Sequence, residues 1–188
     1  MTVRAGKIFL LSLGLAISGS AEIAASAPDG LFHGARLGMT KADLLALPDL
    51  TAGKPECSHI ILVGQPRDTR VAVCTLADKG PSGASLNITY LLSADPAGTE
   101  RLINVAIRGA PADAAAYLDR LKTKFGEPSY VARRRTLGTD GQPQLATVWT
   151  IGGRQVMYRE RCKPDVNFCV DYSDSPFARS VTQQLGDS

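Results

Sequence analysis

The chain has 188 residues, 44% of them hydrophobic and 21% charged, with a formal net charge of +3. That length bounds one ordinary domain or two small ones sharing a core, and a balance so near neutral excludes the basic footprint of a nucleic-acid-binding domain. In chain order, the first 27 residues read as an export segment. Arg4 and Lys7 give a positive start, residues 8–17 are apolar apart from Ser12 and Gly14, and Gly19-Ser20-Ala21 or Ala25-Ser26-Ala27 offers small-residue cleavage chemistry. The apolar run is too short to span a bilayer. Its removal would leave 161 residues at +2 with no second long apolar stretch, and the first cysteine is Cys57. The expectation is a soluble periplasmic or secreted protein with no membrane anchor, its remaining chain divided into units at 28–109 and 110–175 and a tail at 176–188.

Thr40-Lys41-Ala42-Asp43 has capping-box character and opens a short helix predicted to run to about Leu47, stopped by Pro48. Four strand-like runs follow at 57–64, 70–77, 85–92 and 101–108. In the third, Leu86, Ile88, Tyr90 and Leu92 alternate with Ser85, Asn87, Thr89 and Leu91; in the fourth, Ile103, Val105 and Ile107 alternate with Asn104, Ala106 and Arg108. That is the period of a half-buried strand. The second half repeats the order. A longer helix spans Pro111 to Phe125, with Ala114, Tyr117, Leu118, Leu121 and Phe125 as one apolar stripe, and Gly126-Glu127-Pro128 echoes Gly53-Lys54-Pro55. Strand-like runs follow at 129–136, 145–151, 154–161 and 167–172, with Gly152-Gly153 as a hairpin turn. The predicted fold class is α+β, helices packed on an antiparallel sheet as two tandem helix-plus-four-strand units, whether by duplication or by coincidence of a common plan.

Four cysteines in an exported chain predict disulfides. Three connectivities exist, and sequence proximity favours Cys57 with Cys74 and Cys162 with Cys169, bridged across turns at Gln65-Pro66-Arg67-Asp68 and Lys163-Pro164-Asp165. Loops of that size are worth roughly 2–3 kcal/mol each. Alternation puts Phe168, Val170 and Tyr172 on the face opposite Cys169, whereas Cys162 shares a face with Val156 and Tyr158. The second bridge therefore demands a bulge near its turn or a cysteine beyond the regular ladder.

The run Gly34-Ala35-Arg36-Leu37-Gly38-Met39-Thr40-Lys41-Ala42-Asp43-Leu44, followed by a cysteine hairpin at Cys57 and Cys74, resembles the helix start of the β-lactamase inhibitory proteins and of the small outer-membrane assembly lipoproteins of the SmpA/OmlA type. The likeness covers roughly residues 34–75. It implies a tandem α/β unit that presents a curved antiparallel sheet to a protein partner, without catalysis. The chain departs from it in lacking a lipid-attachment cysteine and a Gly-Met-Thr start in the second half, and no binding residue carries over by position.

Catalytic constellations are absent or weak, and carboxylates far apart in the chain that meet in the fold leave a hydrolase as a third reading. The two histidines, His33 and His59, lack metal-ligand spacing and read as structural, and there is no nucleophile elbow, phosphate loop or dinucleotide fingerprint. No metal or cofactor is implied. Arg133 and Arg135 on one predicted strand, with Arg159 and Arg161 on another, are the candidate partner-binding residues, able to grip carboxylates or phosphates if their strands share a sheet; the competing reading is a solvated outer face. The sequence thus predicts a non-catalytic protein-binding or inhibitory module of the bacterial envelope whose partner is another envelope protein. The alternative is a small-ligand or lipid-binding protein whose cavity is lined by Trp149, Tyr158 and Tyr172.

Overall fold

The computed structural model describes residues 32–48, 53–62, 69–137, 143–162 and 168–174, with the side chains of 133–137 and 143–144 left out. The predicted export segment, both cysteine-hairpin turns and the tail at 176–188 lie outside the described residues. The element order is α1 (Lys41–Leu45), β1 (Glu56–Leu62), β2 (Thr69–Lys79), β3 (Ser85–Ala94), β4 (Glu100–Gly109), α2 (Pro111–Phe125), β5 (Tyr130–Leu137), β6 (Pro143–Ile151), β7 (Arg154–Arg159) and β8 (Phe168–Ser173).

All eight strands form one antiparallel sheet in the order β1-β2-β3-β4-β8-β7-β6-β5. This overturns the expected α+β architecture of helices packed on a sheet in two tandem units. The last strand of each half hydrogen-bonds to the other, Val105 facing Tyr172 and Ile107 facing Val170, so the two sets of four strands merge and share a core. The helical share is also smaller than predicted. Helix α1 has five residues, ending at Leu45 with Ala46 as its cap, and among the described residues only α2, with fifteen, exceeds two turns. The fold is dominated by its sheet.

Local chemistry explains the elements. The Thr40 hydroxyl accepts from the Asp43 amide at 3.2 Å and the Asp43 carboxylate accepts from the Thr40 amide at 3.2 Å, the reciprocal capping box. The N-cap of α2, Ala110, has no side chain to offer, and Pro111 sets the first turn. Asp113 instead reaches out of the helix to accept from the Ser82 amide at 2.7 Å, tying α2 to the β2–β3 turn. Gly152 and Gly153 both hold positive φ, 54° and 78°, the conformation a two-residue hairpin between β6 and β7 requires.

The core lies on one face of the sheet. Leu44 of α1, Tyr117 and Leu121 of α2, and Phe32, Ala35 and Leu37 of the leading segment pack there against Ala72, Leu76, Ile88, Tyr90, Leu92, Val105, Ile107, Phe168, Val170 and Tyr172. Phe32 stacks on Tyr172 at 5.1 Å between ring centroids and Tyr117 meets Phe168 at 4.9 Å. On the opposite face, Leu62, Val71 and Leu91 form a smaller cluster flanked by Ile60, Val73 and Ile103, all of them strand residues.

Both predicted disulfides are present. Cys57 and Cys74 sit directly opposite each other in the β1–β2 ladder, with Cα atoms 4.0 Å apart. Cys169 lies within β8, whereas Cys162 stands three residues past the end of β7 at Arg159. The second bridge therefore leaves the regular ladder, which resolves the conflict of faces that alternation alone creates.

Candidate functional site

Two places concentrate polar chemistry. The first is a strip on the face opposite the helices, carried by the three central strands. Asn104 of β4 pairs with Ser173 of β8, and Ser173 with Gln155 of β7; one step along, Ala106 pairs with Asp171 and Asp171 with Met157. Asn104 and Ser173 are each 1% exposed and Asp171 7%. Arg159 Nη2 donates to Asp171 Oδ2 at 2.7 Å. The remaining groups are unsatisfied: both amide atoms of Asn104, Ser173 Oγ, Asp171 Oδ1 and Arg159 Nε are buried without a hydrogen-bond partner. A buried polar group left unpaired costs about 1–3 kcal/mol, so this strip is an expensive place to keep an amide, a hydroxyl and half of an ion pair.

The second is a cleft of about 690 Å³ on the helix-bearing side, lined by Thr40, Lys41, His59, Arg70, Thr99 and Glu100 among others. Glu100, the first residue of β4, takes His59 Nε2 on Oε1 at 2.5 Å and Lys41 Nζ on Oε2 at 3.4 Å. The hydrogen bond from His59, helped by the Lys41 charge, holds the Glu100 carboxyl below its ordinary range. An ionised carboxylate only accepts, which places the proton of His59 on Nε2. The wall of the cleft is pinned by Asp95, whose Oδ1 accepts from the Ala97 and Thr99 amides at 2.9 Å and whose Oδ2 takes Arg101 Nε at 2.7 Å. Arg101 also donates to the Gly38 carbonyl at 3.1 Å. These bonds hold the Asp95 carboxyl below its ordinary value, the Arg101 bond most of all.

The four arginines singled out in the sequence do not form one surface. Arg133 pairs with Leu145 and Arg159 with Ala146, the next residue along β6, so their register positions belong to opposite faces of the sheet. Arg135 falls in the irregular stretch of the β5–β6 pairing. Arg161 lies exposed beyond the end of β7. Arg159 reaches a candidate site, as the partner of Asp171.

The aromatic trio is core. Trp149, Tyr158 and Tyr172 are 4% exposed or less; Trp149 Nε1 donates to the Gly126 carbonyl at 2.9 Å and the Tyr158 hydroxyl to the Ala114 carbonyl at 3.1 Å. His33 pairs with Asp78 at 3.2 Å. Sequence reasoning missed Asn104, Ser173 and Glu100, whereas Asp171 was a candidate, with Glu160, to neutralise part of the arginine patch, and it does pair with Arg159. The one available signal was Asn104, an amide within the apolar stretch from Leu102 to Ile107; nothing in the sequence joins His59 to Glu100, 41 residues away.

Among the described residues no three His, Cys, Asp or Glu side chains are arranged to hold a metal ion, and no helix is long and apolar enough to cross a membrane. The chain matches no protein-family model, no curated protein and no solved structure.

Proposed function

We propose that this protein is an exported, non-catalytic binding module of the bacterial cell envelope that receives a segment of another envelope protein on the face of its sheet opposite α1 and α2. The observation that carries the reading is the unpartnered amide of Asn104, with Ser173 Oγ and Asp171 Oδ1 beside it. An amide with a free donor and a free acceptor matches a main-chain peptide group, which offers the same pair in reverse. The two disulfides suit an oxidising compartment such as the periplasm, and the export reading of residues 1–27 agrees. The likeness of residues 34–75 to the β-lactamase inhibitory proteins points the same way, toward a sheet that meets a protein.

The polar groups are closed to solvent in the free chain, so binding is coupled to a local opening of this face and association is slower than the docking of two open surfaces. The test is affinity capture of the tagged mature protein from its own envelope extract without reductant, run beside the Asn104→Leu variant. A single stoichiometric protein retained by the wild type and lost from the folded variant supports the reading. Retention by neither, or equally by both, refutes it.

A further inference from the structure

The cleft between α1, β1 and the β3–β4 turn is a separate feature, and its geometry points to a binding site for a small oxyanion, a phosphate or a carboxylate. Three basic side chains line it, Lys41 from α1, His59 from β1 and Arg70 from β2, and the first two meet on the Glu100 carboxylate. The register explains the convergence. His59 pairs with Ala72 and Ile61 with Arg70, which puts His59 and Arg70 on the same face, one diagonal step apart.

Glu100 does not neutralise the cleft. Its two oxygens are already committed, one to His59 and one to Lys41, and it stands against two permanent positive charges. Lys41 uses one of its three donors on Glu100, while Arg70 makes no ion pair with any described residue and keeps its forked guanidinium for a ligand. Glu100 acts here as a positioning residue, fixing the Lys41 and His59 heads so that less side-chain entropy is lost when an anion arrives. The turn anchored by Asp95 makes the opposite wall equally fixed.

The test is an NMR titration of the intact mature protein at constant ionic strength, since screening alone would shift exposed charges, with inorganic phosphate in one arm and succinate in the other. Saturable shifts at the His59 ring and the Thr99 and Glu100 amides are expected in at least one arm. Saturation by phosphate alone identifies a phosphate site, and by succinate alone a carboxylate site. Arg70→Ala is expected to weaken binding about tenfold or more, the loss of one charge-assisted contact, with Arg70→Lys recovering part of it. The Trp149 signal checks that each variant stays folded. The proposal is overturned if neither anion gives saturable shifts at tens of millimolar, or if Arg70→Ala leaves the binding curve unchanged.

Discussion

Replacing Asn104 with leucine is expected to make the free protein more stable. The side chain is 1% exposed and neither of its polar atoms has a partner, while the Asn104 main chain keeps its place between Leu91 and Ser173 in the ladder whatever the side chain. Leucine has the same number of side-chain heavy atoms with the same branching, and it would extend the apolar cluster of Leu91 and Ile103. Removing an unsatisfied buried amide is worth about 1–3 kcal/mol. Taking about 2 kcal/mol, a domain of this size should melt roughly 4–8 °C higher. Thermal and urea unfolding followed through Trp149, the only tryptophan and itself buried, would measure it, with an unchanged m-value showing that stability rather than compactness moved. A lower melting temperature for Asn104→Leu would show that the amide is satisfied and that the face opposite α1 and α2 holds no unmet polar demand.

Arg159→Met should destabilise by about 3–5 kcal/mol, because it strands the Asp171 carboxylate, whereas Arg159→Met with Asp171→Leu should recover most of that loss; chemical denaturation of the two variants decides it, and equal losses would refute the pairing. Gly109→Ala should cost about 1–3 kcal/mol, since a methyl group there would stand 2.5 Å from Phe168 Cε1 and 2.8 Å from Leu86 Cδ1; unchanged denaturation would contradict the packing. Burial raises the Tyr117 and Tyr158 phenols to about 12 and the Tyr90 phenol further. A raised phenol contributes stability that is whole below pH 10, where the unfolded chain also keeps its protons, and that is lost as pH climbs from 10 toward 12. An ultraviolet titration should therefore show these tyrosines ionising together with unfolding, and early ionisation of all five tyrosines in a folded protein would refute it.

Much of the local structure was legible in the sequence. The alternation in 85–92 marks β3 because one side of that strand meets the core, and the stripe of Tyr117, Leu118 and Leu121 marks α2 for the same reason. Thr40 and Asp43 form the capping box their spacing predicts, and sequence proximity gave the right cysteine pairs. What was not legible is how strands choose partners. Alternation says which face is buried and nothing about which strand lies alongside, so the junction of β4 with β8, two ends of separate runs, had to be seen. The arginines misled for a related reason, since a cluster in sequence says nothing of register, and one residue of slip on β6 separates the Arg133 position from that of Arg159. Half-buried strands normally alternate apolar with solvent-facing polar residues, yet Asn104 and Asp171 are both buried.

The irregularity in β4 ties these observations together. The register against β3 shifts so that Leu92 faces Leu102 while the adjacent Leu91 faces Asn104, leaving Ile103 as the extra residue. Without that bulge, strict alternation would put Leu102, Asn104 and Ala106 on one face and Val105 and Ile107 on the other. With it, Leu102 joins Val105 and Ile107 in the main core, while Asn104 stays on the face opposite α1 and α2. The same shift keeps Glu100 on the side of Leu102, where it meets His59 and Lys41. A bulge inserted only to fill the core would be as well served by valine or leucine at 104, as Val148 serves on that same face, fully buried. An amide kept there at a cost in stability is the pattern expected where a strand answers to a binding requirement as well as to the fold.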